Sequence, residues 1–143
     1  MLKGVPSILS PELLKVLMEM GHGDELVISD GNFPAAALAH RLVRCDGHEV
    51  PTLLDAILKL FPLDNYVEAP VMLMEVVPGD MIEPTIWDTY KKIIAKHEPV
   101  DGRIQFVERF AFYERAKKAY AVVATGEKAL YANIILKKGV VIE

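Results

Sequence analysis

The sequence predicts an α/β protein in which helices cover both faces of a central sheet. Apolar segments of strand length alternate along the chain with amphipathic helical segments, and this alternation is typical of a sheet packed between two helical layers. The 143 residues contain no repeat, linker or low-complexity tract. We therefore expect residues 1–143 to form a single domain, since this length is close to the commonest domain size.

The first half of the chain carries clear helix and strand signals. Ser10 is a good N-cap, Pro11 occupies the favoured first helical position, and Gly21 supplies the stop. The elements predicted after this helix are a strand over 25–29, a turn at 31–34, a short alanine-rich helix, a short strand around Val43, and a helix from 51 to 61.

The second half begins with residues 71–77, which are almost all apolar and predict a strand buried on both faces. The remaining predicted elements are a helix over 85–96, a turn at Asp101-Gly102, a strand over 104–107, a helical stretch over 110–117, and strands over 120–124 and 134–136.

The composition argues against several classes of partner. A net charge of −4 and a pI near 5.6 do not suit nucleic acid, because phosphate binding needs a concentrated basic surface. No segment approaches the ~20 apolar residues of a membrane helix, and we expect no membrane partner. The single cysteine, Cys45, suits the reducing cytoplasm and reads as a buried structural thiol. The apolar content, 52% in a small chain, predicts a homo-oligomer.

His22 is the most informative histidine, because it lies between Gly21 and Gly23 on a helix-to-strand turn. An uncrowded imidazole with an ordinary pKa of ~6.5 can give and take a proton near neutrality. The alternative is a ring that only caps a carbonyl. A zinc site formed by His22 with Asp24 or Asp30 is a weaker alternative, since the histidines have no metal-ligand spacing. We expect no metal and no cofactor.

Two aspartates are candidate hydroxyl acceptors. Asp30 ends an apolar strand, and Asp64 lies in a loop after a helix. Ligand sites in α/β proteins gather at strand ends, which is where we expect both to lie. The alternative for Asp30 is an Asx-turn that stabilises the following loop. For Asp64 it is ordinary solvation.

A second set of candidates lies late in the chain. Arg109 and Tyr113 are four residues apart, so one helix face can present both, with Phe110 expected in the core. Tyr131 and Asn133 would point the same way in extended backbone and could bind hydroxyl groups together. The alternative for this pair is a hairpin edge with an incidental aromatic residue.

A series of motifs resembles one family along the whole chain. The motifs are Leu-Ser-Pro-Glu-Leu-Leu at 9–14, Met-Gly-His-Gly-Asp-Glu at 20–25, Asp30 with Asn-Phe-Pro-Ala at 32–35, Arg-Cys-Asp-Gly at 44–47, Pro-Leu-Asp-Asn-Tyr at 62–66, Glu-Arg-Phe at 108–110 with Phe-Tyr-Glu-Arg-Ala at 112–116, Thr-Gly-Glu at 125–127, Tyr-Ala-Asn at 131–133 and Leu-Lys-Lys-Gly-Val at 136–140. They resemble the L-fucose mutarotase family, a branch of the RbsD/FucU group that includes D-ribose pyranase. Arg109 and the run after it favour the fucose branch. Ala132 departs from the family, where glycine is expected, and its methyl group could narrow a pocket.

The resemblance implies a three-layer α/β/α fold with a central mixed sheet, as in other RbsD/FucU proteins. It implies proton transfer by His22, and we expect Asp64 or a tyrosine to act on the second proton. The residues it implies for sugar binding are Asp30, Asp64, Met74, Arg109, Tyr113, Tyr131 and Asn133. It also implies a decamer of two stacked pentamer rings or a smaller assembly.

The expected function is interconversion of the α and β anomers of L-fucose, with the pyranose and furanose forms of D-ribose as further substrates. Opening and closing a hemiacetal needs two proton transfers and no metal or covalent intermediate, so acid–base help of ~10²–10⁴-fold suffices. A non-catalytic fucose- or ribose-binding module would use the same hydroxyl-binding residues. A metal-dependent isomerase of open-chain sugars is the third alternative.

Overall fold

The computed structural model describes residues 1–99 and 103–143. Within these residues the helices are α1 (Pro11–Glu19), α2 (Ala35–Leu38), α3 (Val50–Leu58), α4 (Ile86–His97) and α5 (Arg109–Lys118). The strands are β1 (Glu25–Ser29), β2 (Leu42–Cys45), β3 (Val71–Met74), β4 (Ile104–Val107), β5 (Ala121–Thr125) and β6 (Ile134–Lys137). The predicted order of helices and strands is confirmed, and the turn predicted at Asp101-Gly102 lies outside the described residues.

Two predicted boundaries were too long. Strand β3 ends at Met74 instead of residue 77, because the Val77 N–H and carbonyl bond the Tyr131 hydroxyl and the Asp80 N–H in a turn instead of a neighbouring strand. Helix α3 ends at Leu58, three residues before the predicted end. The chain after each of these ends forms a loop, and both loops carry residues of the candidate site.

The sheet has the strand order β2-β5-β1-β6-β3-β4. Strand β6 runs antiparallel to both of its neighbours, β1 and β3, whereas the other neighbouring pairs are parallel. The expectation of a central mixed sheet is therefore confirmed. Because β1, β3, β4 and β5 run the same way, their carboxyl ends meet at one edge of the sheet, together with the start of β6.

Alternate residues of the strands face two separate hydrophobic clusters. Leu26 and Ile28 of β1 join the cluster formed with α1, α3 and α4, whereas Val27 joins the cluster formed with α2 and α5. All three side chains are fully buried, and each such burial contributes about 1.5–3 kcal/mol to folding. The helices thus form two layers on the sheet, as the sequence predicts.

The helices are short. In the described residues, none combines the length and the apolar character that crossing a bilayer requires.

Candidate active site

A cavity of about 380 Å³ opens at the edge of the sheet where the parallel strands end. Six residues predicted to bind a sugar lie in its wall: Asp30, Met74, Arg109, Tyr113, Tyr131 and Asn133. The other lining residues are Asn32, Phe33, Val77, Asp80 and Leu130. The wall therefore combines carboxylate, guanidinium, phenol and amide groups with apolar side chains, a mixture typical of small-molecule sites.

Asp30 follows β1 directly and has two structural roles. Its carboxylate Oδ1 accepts the Asn32 backbone N–H at 2.9 Å, which is the Asx-turn considered above, and its own N–H donates to Asn133 Oδ1 at 2.8 Å. Burial raises the pKa of Asp30, although the backbone amides of Asn32, Phe33 and Ala132 oppose that rise. The turn thus holds a largely buried carboxylate at the wall of the cavity.

Tyr131 lines the cavity, but its backbone conformation differs from the one that the sequence predicts. Its φ of 57° places it in the left-handed region, so the expectation that extended backbone aligns it with Asn133 is wrong. A turn before β6 performs this alignment instead, and both side chains line the cavity. The Tyr131 hydroxyl donates to Asp80 Oδ2 at 2.7 Å and accepts the Val77 N–H at 3.2 Å. The Asp80 hydrogen bond raises the pKa of this phenol.

Helix α4 fixes the backbone of the same turn. Trp87 Nε1–H donates to the Tyr131 carbonyl at 2.9 Å, and the Tyr90 hydroxyl donates to the next carbonyl, that of Ala132, at 2.7 Å. The two donors are three residues apart and therefore lie on one face of the helix. Ala132 is fully buried and is not a lining residue, so its methyl group does not narrow the cavity.

Arg109 and Tyr113 lie one turn apart at the start of α5, as their spacing predicts. The Arg109 guanidinium carbon lies 5.6 Å from the centre of the Tyr113 ring and 5.0 Å from that of Phe110. The Phe110 side chain is 63% exposed, so its predicted place in the core is wrong. In residues 1–99 and 103–143, Arg109 forms no ion pair and the Tyr113 hydroxyl has no hydrogen-bond partner. Both groups are therefore available to a ligand.

His22 and Asp64 form a second cluster. His22 Nε2 lies 3.1 Å from Asp64 Oδ1, and the His22 ring packs against the Tyr66 ring with centroids 5.2 Å apart. The His22 side chain is 46% exposed, whereas that of Asp64 is 3% exposed. Burial acts to raise the pKa of Asp64, but the Tyr66 backbone N–H, His22 and Lys137 outweigh it and hold this pKa below its ordinary value.

The Asp64 loop is held from two directions. The Arg103 guanidinium donates to the Asp64 carbonyl at 2.9 Å and to the Glu68 carbonyl at 3.2 Å. On the other side the Gly139 N–H donates to the Pro62 carbonyl at 2.8 Å. A Cβ atom on Gly139 would lie 2.5 Å from the Leu63 carbonyl oxygen, so this close approach of two backbones requires glycine.

One chain does not bring the two clusters together. His22 precedes β1 and Asp30 follows it. The four steps from the first to the last residue of this strand alone span about 13 Å at ~3.3 Å per residue. Neither His22 nor Asp64 lines the cavity. The expectation that these two residues share a pocket with Asp30 is therefore wrong within a single chain, because a strand separates its two flanking loops.

Two functional candidates were missed in the sequence. Asp80 lines the cavity and bonds Tyr131, yet it lies in a segment that the apolar pattern assigned to the end of a strand and its loop. Glu127 is buried and accepts the backbone N–H groups of Val50, Lys128 and Ala129 at 3.0–3.2 Å. It thereby ties the start of α3 to the turn that carries Tyr131. Its motif, Thr-Gly-Glu at 125–127, is one of the family motifs in the sequence, but no role was predicted for Glu127.

The described residues contain no group of three or more His, Cys, Asp or Glu side chains that could hold a metal ion. Cys45 is buried and its pKa is raised by that burial, which suits a structural thiol and not a reactive one.

Known proteins that are similar to this chain belong to one family and match it over nearly its whole length. The model of the RbsD / FucU transport protein family matches residues 3–141. The chain is 56% identical over 140 residues to an L-fucose mutarotase of Actinobacillus pleuropneumoniae, covering 98% of this chain and 97% of the relative. It is 56% identical over 146 residues to a fucose mutarotase of Danio rerio, covering 98% and 94%.

A solved structure is equally similar. The crystal structure of the fucose mutarotase of Streptococcus pneumoniae in complex with L-fucose superposes with a TM-score of 0.95 at 57% sequence identity. The superposition covers 99% of this chain and all of the other.

Proposed function

The chain belongs to the RbsD/FucU family, and on that premise we propose that it is a cofactor-independent mutarotase that interconverts the α and β anomers of L-fucose. The observation that carries this proposal is the cavity, in which Asp30, Arg109, Tyr113 and Asn133 meet at one sheet edge. These groups offer both donors and acceptors to the hydroxyls of a neutral sugar. Met74 adds an apolar wall to the same cavity. D-Ribose forms are a secondary substrate in this proposal.

The proposed site is completed by a neighbouring copy of the chain. The proton-transfer cluster and the cavity lie at opposite ends of β1, so head-to-tail contact between two copies places the His22 of one beside the cavity of the other. Such heterologous contacts form a ring when the rotation between neighbouring copies closes. Exposed apolar side chains lie near both ends, Tyr66 (75%) beside His22 and Leu130 (51%) at the cavity, as expected of contact surfaces. We extend this to a decamer of two pentamer rings, as the family resemblance implies.

In this proposal His22 exchanges protons with the hemiacetal and Asp64 positions it. The ionised Asp64 carboxylate can only accept, so the His22 Nε2 carries hydrogen and donates to it. The Nδ1 lone pair of the neutral ring is then free to take a proton from a sugar hydroxyl. Because Asp64 is almost fully buried and also accepts the Tyr66 N–H at 2.9 Å, we assign it this positioning role instead of the second proton transfer.

Tyr113 is the proposed second proton-transfer group. Ring opening removes the proton of the anomeric hydroxyl and delivers one to the ring oxygen, and closure reverses both steps. Tyr131 is the poorer candidate, because its hydroxyl hydrogen is committed to Asp80. The Tyr113 hydroxyl has no such partner in the described chain, and it lines the cavity near Arg109. Two proton transfers of this kind supply the modest acceleration that mutarotation needs.

The cytoplasm is the proposed location. The lone cysteine is a buried free thiol, and a fold that uses no disulfide is suited to a reducing compartment.

Exchange NMR on the anomeric protons of L-fucose tests the catalytic proposal. The wild-type chain should exchange the α and β signals at low protein concentration, and His22→Ala should slow this exchange by about 10²–10⁴-fold while L-fucose still binds. His40→Ala is the matched control, since this exposed histidine belongs to neither cluster. Binding without any exchange in the wild type would instead identify a sugar-binding module, and loss of exchange with a chelator would identify a metal-dependent enzyme.

A further inference from the structure

The Asp80 side chain lines the cavity, and the mechanism above gives it no part in recognising the sugar. It lies in the loop after β3, beyond the positive-φ Gly79. Its Oδ2 accepts the Tyr131 hydroxyl at 2.7 Å, the short distance expected of a charge-assisted hydrogen bond. The same phenol oxygen accepts the Val77 N–H at 3.2 Å. One hydroxyl thus joins two points of this loop to the turn before β6.

We propose that Asp80 is a positioning and specificity residue of this site: it commits the Tyr131 hydrogen and so makes that phenol a hydrogen-bond acceptor for a sugar hydroxyl. The inference rests on the proposed function. A phenol has one hydrogen to donate, and here Asp80 takes it. After the Val77 N–H is bonded, only acceptor capacity remains on the Tyr131 oxygen. The ligand group opposite it must then be a donor, which an unsubstituted hydroxyl is and an ether oxygen is not.

The surroundings of Tyr131 support this assignment. Its backbone has a left-handed φ and is held by the Trp87 indole at the carbonyl, and its hydroxyl is held by two hydrogen bonds to the loop after β3. The Asp80 hydrogen bond raises the pKa of the phenol, and the Val77 amide and Arg109 oppose this rise without reversing it. Tyr131 therefore stays neutral and does not act as a base, which leaves recognition as its role.

The test is a double-mutant cycle of Asp80→Ala and Tyr131→Phe in the full chain. Trp87 is the only tryptophan and donates to the Tyr131 carbonyl, so its fluorescence gives a dissociation constant for L-fucose without any assay of catalysis. Asp80→Ala should weaken binding and raise KM by about 3- to 10-fold, the effect of one hydrogen bond, with kcat within about twofold, because no carboxylate then holds the Tyr131 hydrogen. In the Tyr131→Phe background it should add almost nothing.

Two results would overturn the inference: multiplicative losses in the double variant, or an Asp80→Ala effect on kcat with binding unchanged. A phenolate titration by ultraviolet absorbance separates positioning from a structural role, because Asp80→Ala should lower the pKa of a tyrosine and Asp80→Ala/Tyr131→Phe should remove that titration. An unchanged tyrosine pKa in the Asp80 variant would also contradict the inference. If the wild type binds L-fucose without exchanging its anomers, the proposed function fails while the binding cycle still decides the role of Asp80.

Discussion

The His22 imidazole lies 3.1 Å from the Asp64 carboxylate, at the end of β1 that is remote from the cavity. The imidazole is accessible, and the carboxylate that holds it is buried. The ring is therefore positioned to contact a ligand that is bound outside its own chain. A site shared between two chains, as proposed above, accounts for a cavity and a candidate acid–base group that do not meet in one chain.

Mixing two inactive variants tests whether neighbouring chains share the site. We expect His22→Ala and Asn133→Ala to be inactive alone, because the first lacks the proton-transfer group and the second an amide of the cavity. After subunit exchange at equal concentrations, roughly a quarter of the sites would combine an intact cavity with an intact His22 of the neighbour. Exchange NMR should then detect recovered activity, and its absence in a mixed oligomer would place each site within one chain.

The two cavity tyrosines should respond differently to loss of the hydroxyl. Tyr113→Phe should lower kcat by about 10²–10⁴-fold with little change in KM, because it removes a proton-transfer group. Tyr131→Phe should mainly raise KM, because its hydroxyl is held by Asp80 and recognises the sugar. Tyr120→Phe is the control, since its hydroxyl bonds the exposed Glu19. A large kcat effect confined to Tyr131→Phe would reverse the assignment.

Asp30→Asn should make the protein more stable and less active at neutral pH. Burial raises the pKa of Asp30, and a group whose pKa rises on folding contributes stability below its unfolded pKa that is lost as the pH rises through the folded value. The ionised carboxylate therefore costs stability above about pH 4, the ordinary range of aspartate. An amide at this position avoids that cost and can still accept the Asn32 N–H.

Thermal melts from pH 4 to pH 8 measure this effect. The Asp30→Asn melting temperature should exceed that of the wild type at neutral pH, and the difference should shrink towards pH 4. Asp46→Asn is the control, because Asp46 is exposed and paired with Arg44. Loss of a charge-assisted bond to the sugar should also lower kcat/KM of Asp30→Asn by about 10- to 100-fold. A difference in melting temperature that grows towards acid would contradict the prediction.

Gly139→Ala should disturb the loop that holds Asp64. The new Cβ would lie 2.5 Å from the Leu63 carbonyl oxygen and 2.9 Å from the Asp64 Cα, so backbone has to move. We expect a loss of about 1–3 kcal/mol in the free energy of unfolding, typical of overpacking, and a lower kcat at temperatures where the variant is folded. Gly47→Ala is the matched control, as its Cβ would meet open space. Equal effects of the two substitutions would exclude a special role for Gly139.

Much of the cavity was predictable from local sequence. Asp30 directly follows an apolar strand in the sequence, so it lies at an edge of the sheet in any α/β fold. Arg109 and Tyr113 share a helix face because the helical period requires it. The motifs at 20–25, 62–66 and 131–133 added the family, and with it the expectation of a central mixed sheet. These features depend on neighbours within a few residues or on a pattern that the family shares.

Only the tertiary structure decided which of these residues come into contact. Strand β6 inserts antiparallel between β1 and β3, which brings Asn133 to Asp30 at one end and Lys137 to the Asp64 loop at the other. The Asp80–Tyr131 hydrogen bond joins residues 51 positions apart. The sequence determined which local elements and polar groups exist, since propensity and spacing act over a few residues. Strand order and register decided which groups are neighbours and that His22 lies away from the cavity, because pairing between strands depends on the packing of the whole chain.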